Sequence, residues 1–230
     1  TKEKEITTGG EFIDKETKCE SIFTTEDFSE EQKMMRDAVK EFEDKEIWSK
    51  KDEFEKKNFQ LTVDVMKKAG DLGFLGVGVP EKYGGLGMPF TSTMLVCDYI
   101  SGSSGSTSTA FGAHTGIGTM PILLYGNESQ KQKYIPKLAT GEFFGAYCLT
   151  EPGAGSDANS GKTKAVLSED KKHYLITGQK IWISNAGFAD IFTVFAKIED
   201  DKNLTAFIVP NDPDNGCLLY TSDAADEPMR

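Results

Sequence analysis

The sequence predicts an α+β chain: an all-helical N-terminal domain followed by a small antiparallel β-barrel or sandwich domain. Two observations carry this. Up to Gly141, apolar residues recur at helical spacing in several separate stretches. Beyond it, short β-branched and aromatic segments alternate with turn residues, and no crossover helix intervenes.

Residues 1–22 have little periodicity and read as an extended arm; 23–140 form the helical domain. Its first helix is announced by Ser29-Glu30-Glu31-Gln32, a capping box with serine as N-cap and Gln32 at the third helical position. Met35, Val39, Phe42 and then Glu46/Ile47 continue at helical spacing. Leu61, Val65, Met66 and Ala69 mark a second helix ended by Gly70; Met94, Leu95, Asp98 and Tyr99 mark a third. Thr107 to Gly118 is small and apolar, as in a buried helix that others approach closely. Glu128 to Leu138 is another helix, with Pro136 expected to bend or end it. In the β domain, 141–216, the strands predicted are Phe143–Leu149, Ala165–Leu167, Tyr174–Thr177, Ile181–Ile183, Ile191–Ala196 and Ala206–Val209.

The chain has 230 residues, 38% hydrophobic and 27% charged, with a net charge of −11. That balance argues against nucleic acid or an anionic membrane as the main partner, because both need a basic face. No apolar run approaches a membrane span, and the charged start Thr1-Lys2-Glu3-Lys4-Glu5 is neither a secretory signal nor a transit peptide. Cys19, Cys97, Cys148 and Cys217 lack metal-ligand or redox spacing, so no metal site and a reducing, cytoplasmic setting are expected. Residues 217–230 are set aside as a non-native tail. The run Cys217-Leu218-Leu219-Tyr220-Thr221-Ser222-Asp223-Ala224-Ala225-Asp226-Glu227 resembles a translated transposase adapter from sequencing libraries; the alternative is a short strand with a polar end.

The chemistry concentrates in Tyr147-Cys148-Leu149-Thr150-Glu151-Pro152-Gly153-Ala154-Gly155-Ser156-Asp157-Ala158, where a strand runs into a glycine-rich loop. Such a loop lets backbone N–H groups approach an anion. Gly153, Gly155 and Ala158 fit a dinucleotide fingerprint, but that fingerprint must open a helix, and Asn159-Ser160-Gly161 stands there instead. Gly161-Lys162-Thr163 looks like the end of a P-loop, yet Ser156 stands where its first glycine should be.

The segment from Cys148 to Ser160 resembles the flavin-binding signature of acyl-CoA dehydrogenases along its whole length. A second family block comes later as Lys180-Ile181-Trp182-Ile183-Ser184-Asn185-Ala186-Gly187. Pro80-Glu81-Lys82-Tyr83-Gly84-Gly85-Leu86-Gly87 and Tyr125-Gly126 agree too, so the resemblance covers about 22–216. Trp182 to Asn185 and Ala189 to Lys197 look most like the very-long-chain subgroup.

The resemblance implies an FAD enzyme that introduces an α,β double bond into fatty acyl-CoA, by α-proton abstraction and β-hydride transfer to flavin N5. By position, Tyr147, Cys148, Leu149 and Thr150 would line the flavin ring, and Gly155 and Ser156 would lie near the pyrophosphate, with Ser156 also touching acyl-CoA. Trp182 and Ile183 would flank the ring, and Ser184 would offer its hydroxyl to N5. The family's catalytic carboxylate lies in a C-terminal helical domain outside this sequence, so no catalytic residue is assigned and this piece alone is expected to be inactive. Electron-transfer flavoprotein would be the acceptor, and the parent a homodimer or homotetramer. An acyl-CoA oxidase of the same fold, or a cofactor-free binding module on a degenerate scaffold, are the alternatives.

Read from the residues alone, other roles stay open. Trp182 between two isoleucines is also what a packed strand aromatic looks like, and Thr150 and Ser184 could satisfy backbone groups at strand ends. Glu151 and Asp157 are read as loop-holding acceptors of backbone N–H groups rather than as the base. His114 is read as a core histidine and His173 as a surface residue in a turn.

Overall fold

The computed structural model describes residues 6, 7, 9–56 and 58–212. Among the described residues seven α-helices precede five strands: α1 Glu30–Phe42, α2 Lys51–Glu55, α3 Phe59–Asp71, α4 Phe90–Ser101, α5 Gly105–Gly112, α6 Met120–Tyr125 and α7 Glu128–Thr140, then β1 Gly145–Cys148, β2 Lys164–Leu167, β3 Tyr174–Thr177, β4 Ile191–Ile198 and β5 Thr205–Pro210. The α+β class, helical first and β second, is as predicted. The arm is not extended over its described part: single turns at Glu11–Ile13 and Cys19–Ser21 fold it back, and the Thr7 N–H reaches the Ser21 carbonyl at 2.8 Å. The tail at 217–230 lies outside the described residues.

The predicted capping box is present: the Ser29 side chain accepts from the Gln32 N–H, and the Gln32 side chain accepts from the Ser29 N–H. Past Phe42 the helix takes a π-turn, Glu43–Ile47. The wider turn shifts the inward phase by one residue, so Ile47 is fully buried while Glu46 turns outward to Lys50 and Lys68. Gly70 does not end α3. A Cβ there would lie 2.2 Å from the Thr140 carbonyl oxygen, so glycine is needed for the close approach of α3 to the end of α7. Nor does Pro136 end α7. Ile135, Leu138 and Ala139 are buried around it, and the helix stops at Gly141, whose φ of +74° is a left-handed C-terminal turn. The small stretch after α5 is a second π-turn, Ala113–Gly118.

The strands form one mixed sheet, not an antiparallel one. β2–β3 and β4–β5 pair antiparallel, while β1–β4 and β2–β4 pair parallel. A parallel return needs a connection of a dozen or more residues, but it need not be a helix. Here residues 149–190, with the β2–β3 hairpin inside them, bring the chain back beside β1. Ile181–Ile183 is not a strand; it lies in an irregular segment leading to β4.

The two halves share a core. Ile191 of β4 packs with Ile122 of α6 and Tyr134, Ile135 and Leu138 of α7, and Phe144 joins the cluster built on α1, α3 and α4. His114 joins three elements: its Nε2 lies 2.9 Å from the Leu138 carbonyl, and Gly145 N–H donates to its Nδ1 at 3.1 Å. It is a satisfied core histidine. His173 is exposed in a turn beside Asp170.

Candidate flavin site

β1 ends at Cys148, and the chain turns out of the sheet over Leu149 and Thr150. Two bonds then bring the second predicted block alongside. The Ile181 N–H donates to the Thr150 carbonyl at 3.0 Å, and Lys180 Nζ donates to the Leu149 carbonyl at 3.0 Å. Lys180 also meets Glu151 Oε1 at 2.7 Å.

Glu151 is the hub of the loop. Its carboxylate accepts the Lys162 N–H at 2.6 Å and the Thr163 N–H at 3.1 Å, and its own backbone closes a tight turn onto Ala154. Only 6% of its surface is exposed. Burial by itself raises a carboxyl's pKa, but the Lys180 ammonium and the two amides outweigh it and hold Glu151 down to about 2. It is an ionised anchor rather than a base, as expected. Asp157 differs from expectation: it is exposed, and its backbone carbonyl, accepting from Ser160, makes the local bonds.

Beyond this anchor the loop is open. Gly155 and Ser156 are exposed, and a Cβ at Gly153 or Gly155 would meet nothing within 4 Å. No contact among the described residues requires glycine at either place, whereas close approach by a ligand would. Trp182 is neither a strand residue nor packed: it is 74% exposed, with φ +59°. A bulky residue in the left-handed region is uncommon and costs of order 1–3 kcal/mol unless its surroundings enforce it. The surroundings here are the bonded Lys180–Ile181 pair on one side and Asn185 on the other. Asn185 also has positive φ, +66°, and its Nδ2 donates to the Ala110 carbonyl of α5 at 2.9 Å.

The other predicted residues divide. Tyr147 is half-buried with its ring 4.7 Å from that of Phe195, Leu149 and Thr150 are half-buried at the strand end, and Ser184 is exposed beside Trp182. Cys148 and Ile183 point inward, into a cluster with Ala146, Ala189 and Phe192, so their side chains support the site from beneath. Lys180 and Asn185 stand in the second block, but the sequence alone suggests no role for either. The available signal was a lone cation heading an apolar run and an asparagine tolerant of positive φ. Among the described residues no group of three His, Cys, Asp or Glu side chains could hold a metal ion, and no helix is long and apolar enough to cross a membrane.

Known proteins resemble this chain in sequence and in fold. Residues 29–142 match the family described as acyl-CoA dehydrogenase, N-terminal domain, and 146–223 match its middle domain, the second match running past Gly216 into the proposed non-native tail. A probable acyl-CoA dehydrogenase of Bacillus subtilis is 45% identical over 208 residues, 90% of this chain and 35% of that protein. The rat very long-chain specific acyl-CoA dehydrogenase, mitochondrial, is 42% identical over 176 residues, 73% of this chain and 26% of that one. The crystal structure of an acyl-CoA dehydrogenase complexed with FAD from Bacillus anthracis superposes with a TM-score of 0.84 at 46% identity, covering 89% of this chain and 35% of its own. The chain thus spans a quarter to a third of the length of these relatives, and FAD is the family's cofactor. With both domain models matched in order and the fold shared at that identity, the chain belongs to the acyl-CoA dehydrogenase family.

Proposed function

We propose that a full-length protein carrying this sequence is an FAD-dependent acyl-CoA dehydrogenase, and that the loop at 149–156 and the turn at 180–185 hold its flavin. The observation that carries this is Trp182, an exposed indole at positive φ beside an open glycine loop, both held by a buried ion pair. That combination suits a flat aromatic ligand with a phosphate-bearing tail. Tyr147, Leu149 and Thr150 at the strand end and Trp182 and Ser184 on the turn are the residues that would hold the ring, supported from below by Cys148 and Ile183. Gly155 and Ser156 would receive the pyrophosphate, with Ser156 also offered to acyl-CoA.

When bound, FAD supplies the two-electron acceptor for α,β-dehydrogenation of an acyl-CoA thioester. The part of this chain is to bind and orient: polar groups at Thr150 and Ser184 present hydrogen bonds, and Trp182 covers one face. The proton-abstracting carboxylate would come from outside these 230 residues, so the piece alone is inactive in this reading. Electron-transfer flavoprotein is the acceptor we propose, with a fatty acyl-CoA as substrate and a homodimer or homotetramer as the assembly.

The test is an anaerobic visible spectrum of the full-length protein before and after palmitoyl-CoA. Bleaching of the flavin band is expected. Bound flavin that stays oxidised would keep the cofactor and send the substrate search to other chain lengths or branched acids, and a protein that cannot be reconstituted with FAD would overturn the enzyme reading. Oxygen consumption without added acceptor would replace the dehydrogenase with an oxidase.

A further inference from the structure

The two flavin-cradle segments are far apart in sequence, and the sheet does not join them: β1 has ended, and 181–183 is not a strand. One side chain and one backbone bond tie them at the mouth of the site, above the apolar cluster that Cys148 and Ile183 share. Lys180 Nζ reaches the Leu149 carbonyl at 3.0 Å and Glu151 Oε1 at 2.7 Å, while the Ile181 N–H takes the Thr150 carbonyl. The ion pair is almost entirely buried, with 11% of the Lys180 side chain and 6% of the Glu151 side chain exposed. Glu151 in turn is fixed by the Lys162 and Thr163 amides across the base of the glycine loop. A shielded ion pair resists bending, because displacing either partner leaves a buried charge uncompensated. Two residues further on stands Trp182, exposed and at positive φ, with no packing of its own to hold it there.

We infer that Lys180 is a positioning residue: by tying Leu149 and Glu151 of the first segment to the start of the second, it sets where Trp182 stands relative to the glycine loop. This rests on the flavin reading proposed for the same site. With only 11% of its side chain exposed, Lys180 acts through the segments it ties, the indole foremost. Arginine, longer and forked, keeps the charge but cannot place it on both oxygens in the same way.

The test is a double-mutant cycle in the full-length holoprotein, with FAD dissociation constants for wild type, Lys180→Met, Trp182→Ala and the double variant. Each single change should weaken FAD about tenfold or more, since a lost charge-assisted hydrogen bond or ring contact is of that order. The double variant should lose less than the sum of the two single losses, because the part of the Lys180 effect that runs through the indole is already gone. Flavin fluorescence gives a second readout: an indole held against the ring quenches it, so the bound flavin should brighten in Lys180→Met and partly dim again in Lys180→Arg. Losses that simply add in the cycle, or unchanged quenching, would overturn the proposal and make Lys180 a structural residue only. If Lys180→Met does not fold, Lys180→Arg takes its place, with a smaller loss and the same non-additivity expected. Failure of the wild-type protein to bind FAD is a different result, since it removes the flavin reading itself.

Discussion

His114 is fully buried with both ring nitrogens used, donating from Nε2 to the Leu138 carbonyl and accepting the Gly145 N–H at Nδ1. Burial pushes its pKa down to about 4 from the ordinary 6.5, against a smaller opposing effect of the Leu138 carbonyl. Between those values the unfolded chain binds the proton and the folded one does not. The contribution of neutral His114 is therefore complete above about pH 6.5 and is lost as the pH falls towards 4, a difference of roughly 3 kcal/mol. His114→Gln, whose amide can donate and accept in the same two directions, should lose much less stability between about pH 7.5 and 5 than wild type, as measured by urea unfolding. An equal loss in both would assign the acid sensitivity elsewhere. Glu151, depressed to about 2, contributes in a lower window: its stabilisation is present above about pH 4.5 and fades as the pH falls towards 2. The core role of His114 and the anchoring role of Glu151 were legible from their settings, an apolar stretch and a glycine loop. The positive φ of Trp182 was not, because no local pattern marks a bulky residue held by distant partners.

At the level of elements, α1 shows how a local signal gains a tertiary meaning. The Gln32 side chain caps Ser29 N–H, and its Nε2 also donates to Thr91 Oγ1 at 3.2 Å and to the fully buried Ser92 Oγ at 3.0 Å on α4. Ser29→Ala should cost about 1 kcal/mol, the usual loss of a cap. Gln32→Ala should cost more, about 2 kcal/mol, since it also leaves the buried Ser92 hydroxyl short of a partner. Denaturant unfolding of the two variants checks the order, and equal losses would mean that the contact with α4 contributes nothing. The capping box was readable because it is local. The role of Gly70 was misread for the complementary reason: what decides it is the crossing of α3 and α7, which no single helix displays.

Over the whole molecule, the helical half and the sheet act as one body at the site. Asn185 ties the flavin turn to α5 through the Ala110 carbonyl and adopts a positive φ that asparagine tolerates better than most residues. Asn185→Ala removes both and should destabilise the full-length protein by about 2 kcal/mol. Amide hydrogen exchange should then quicken over 180–187 while α3 and α7 stay protected. Uniform quickening across the chain would show that this tie is not local.

By itself the sequence determined the helical-then-β order, the cap of α1, the strand segments Tyr174–Thr177 and Ile191–Ala196, and the two motif blocks. Each of these is set by periodicity or by residues close in the chain. Only the tertiary structure decided that β1 and β4 run parallel, that 181–183 is a strained turn rather than a strand, and that Lys180 rather than the glycine loop joins the two blocks. Those outcomes depend on pairing between segments some 30 or more residues apart, such as Leu149 with Lys180, where loop closure, burial and hydrogen-bond completion outweigh local propensity.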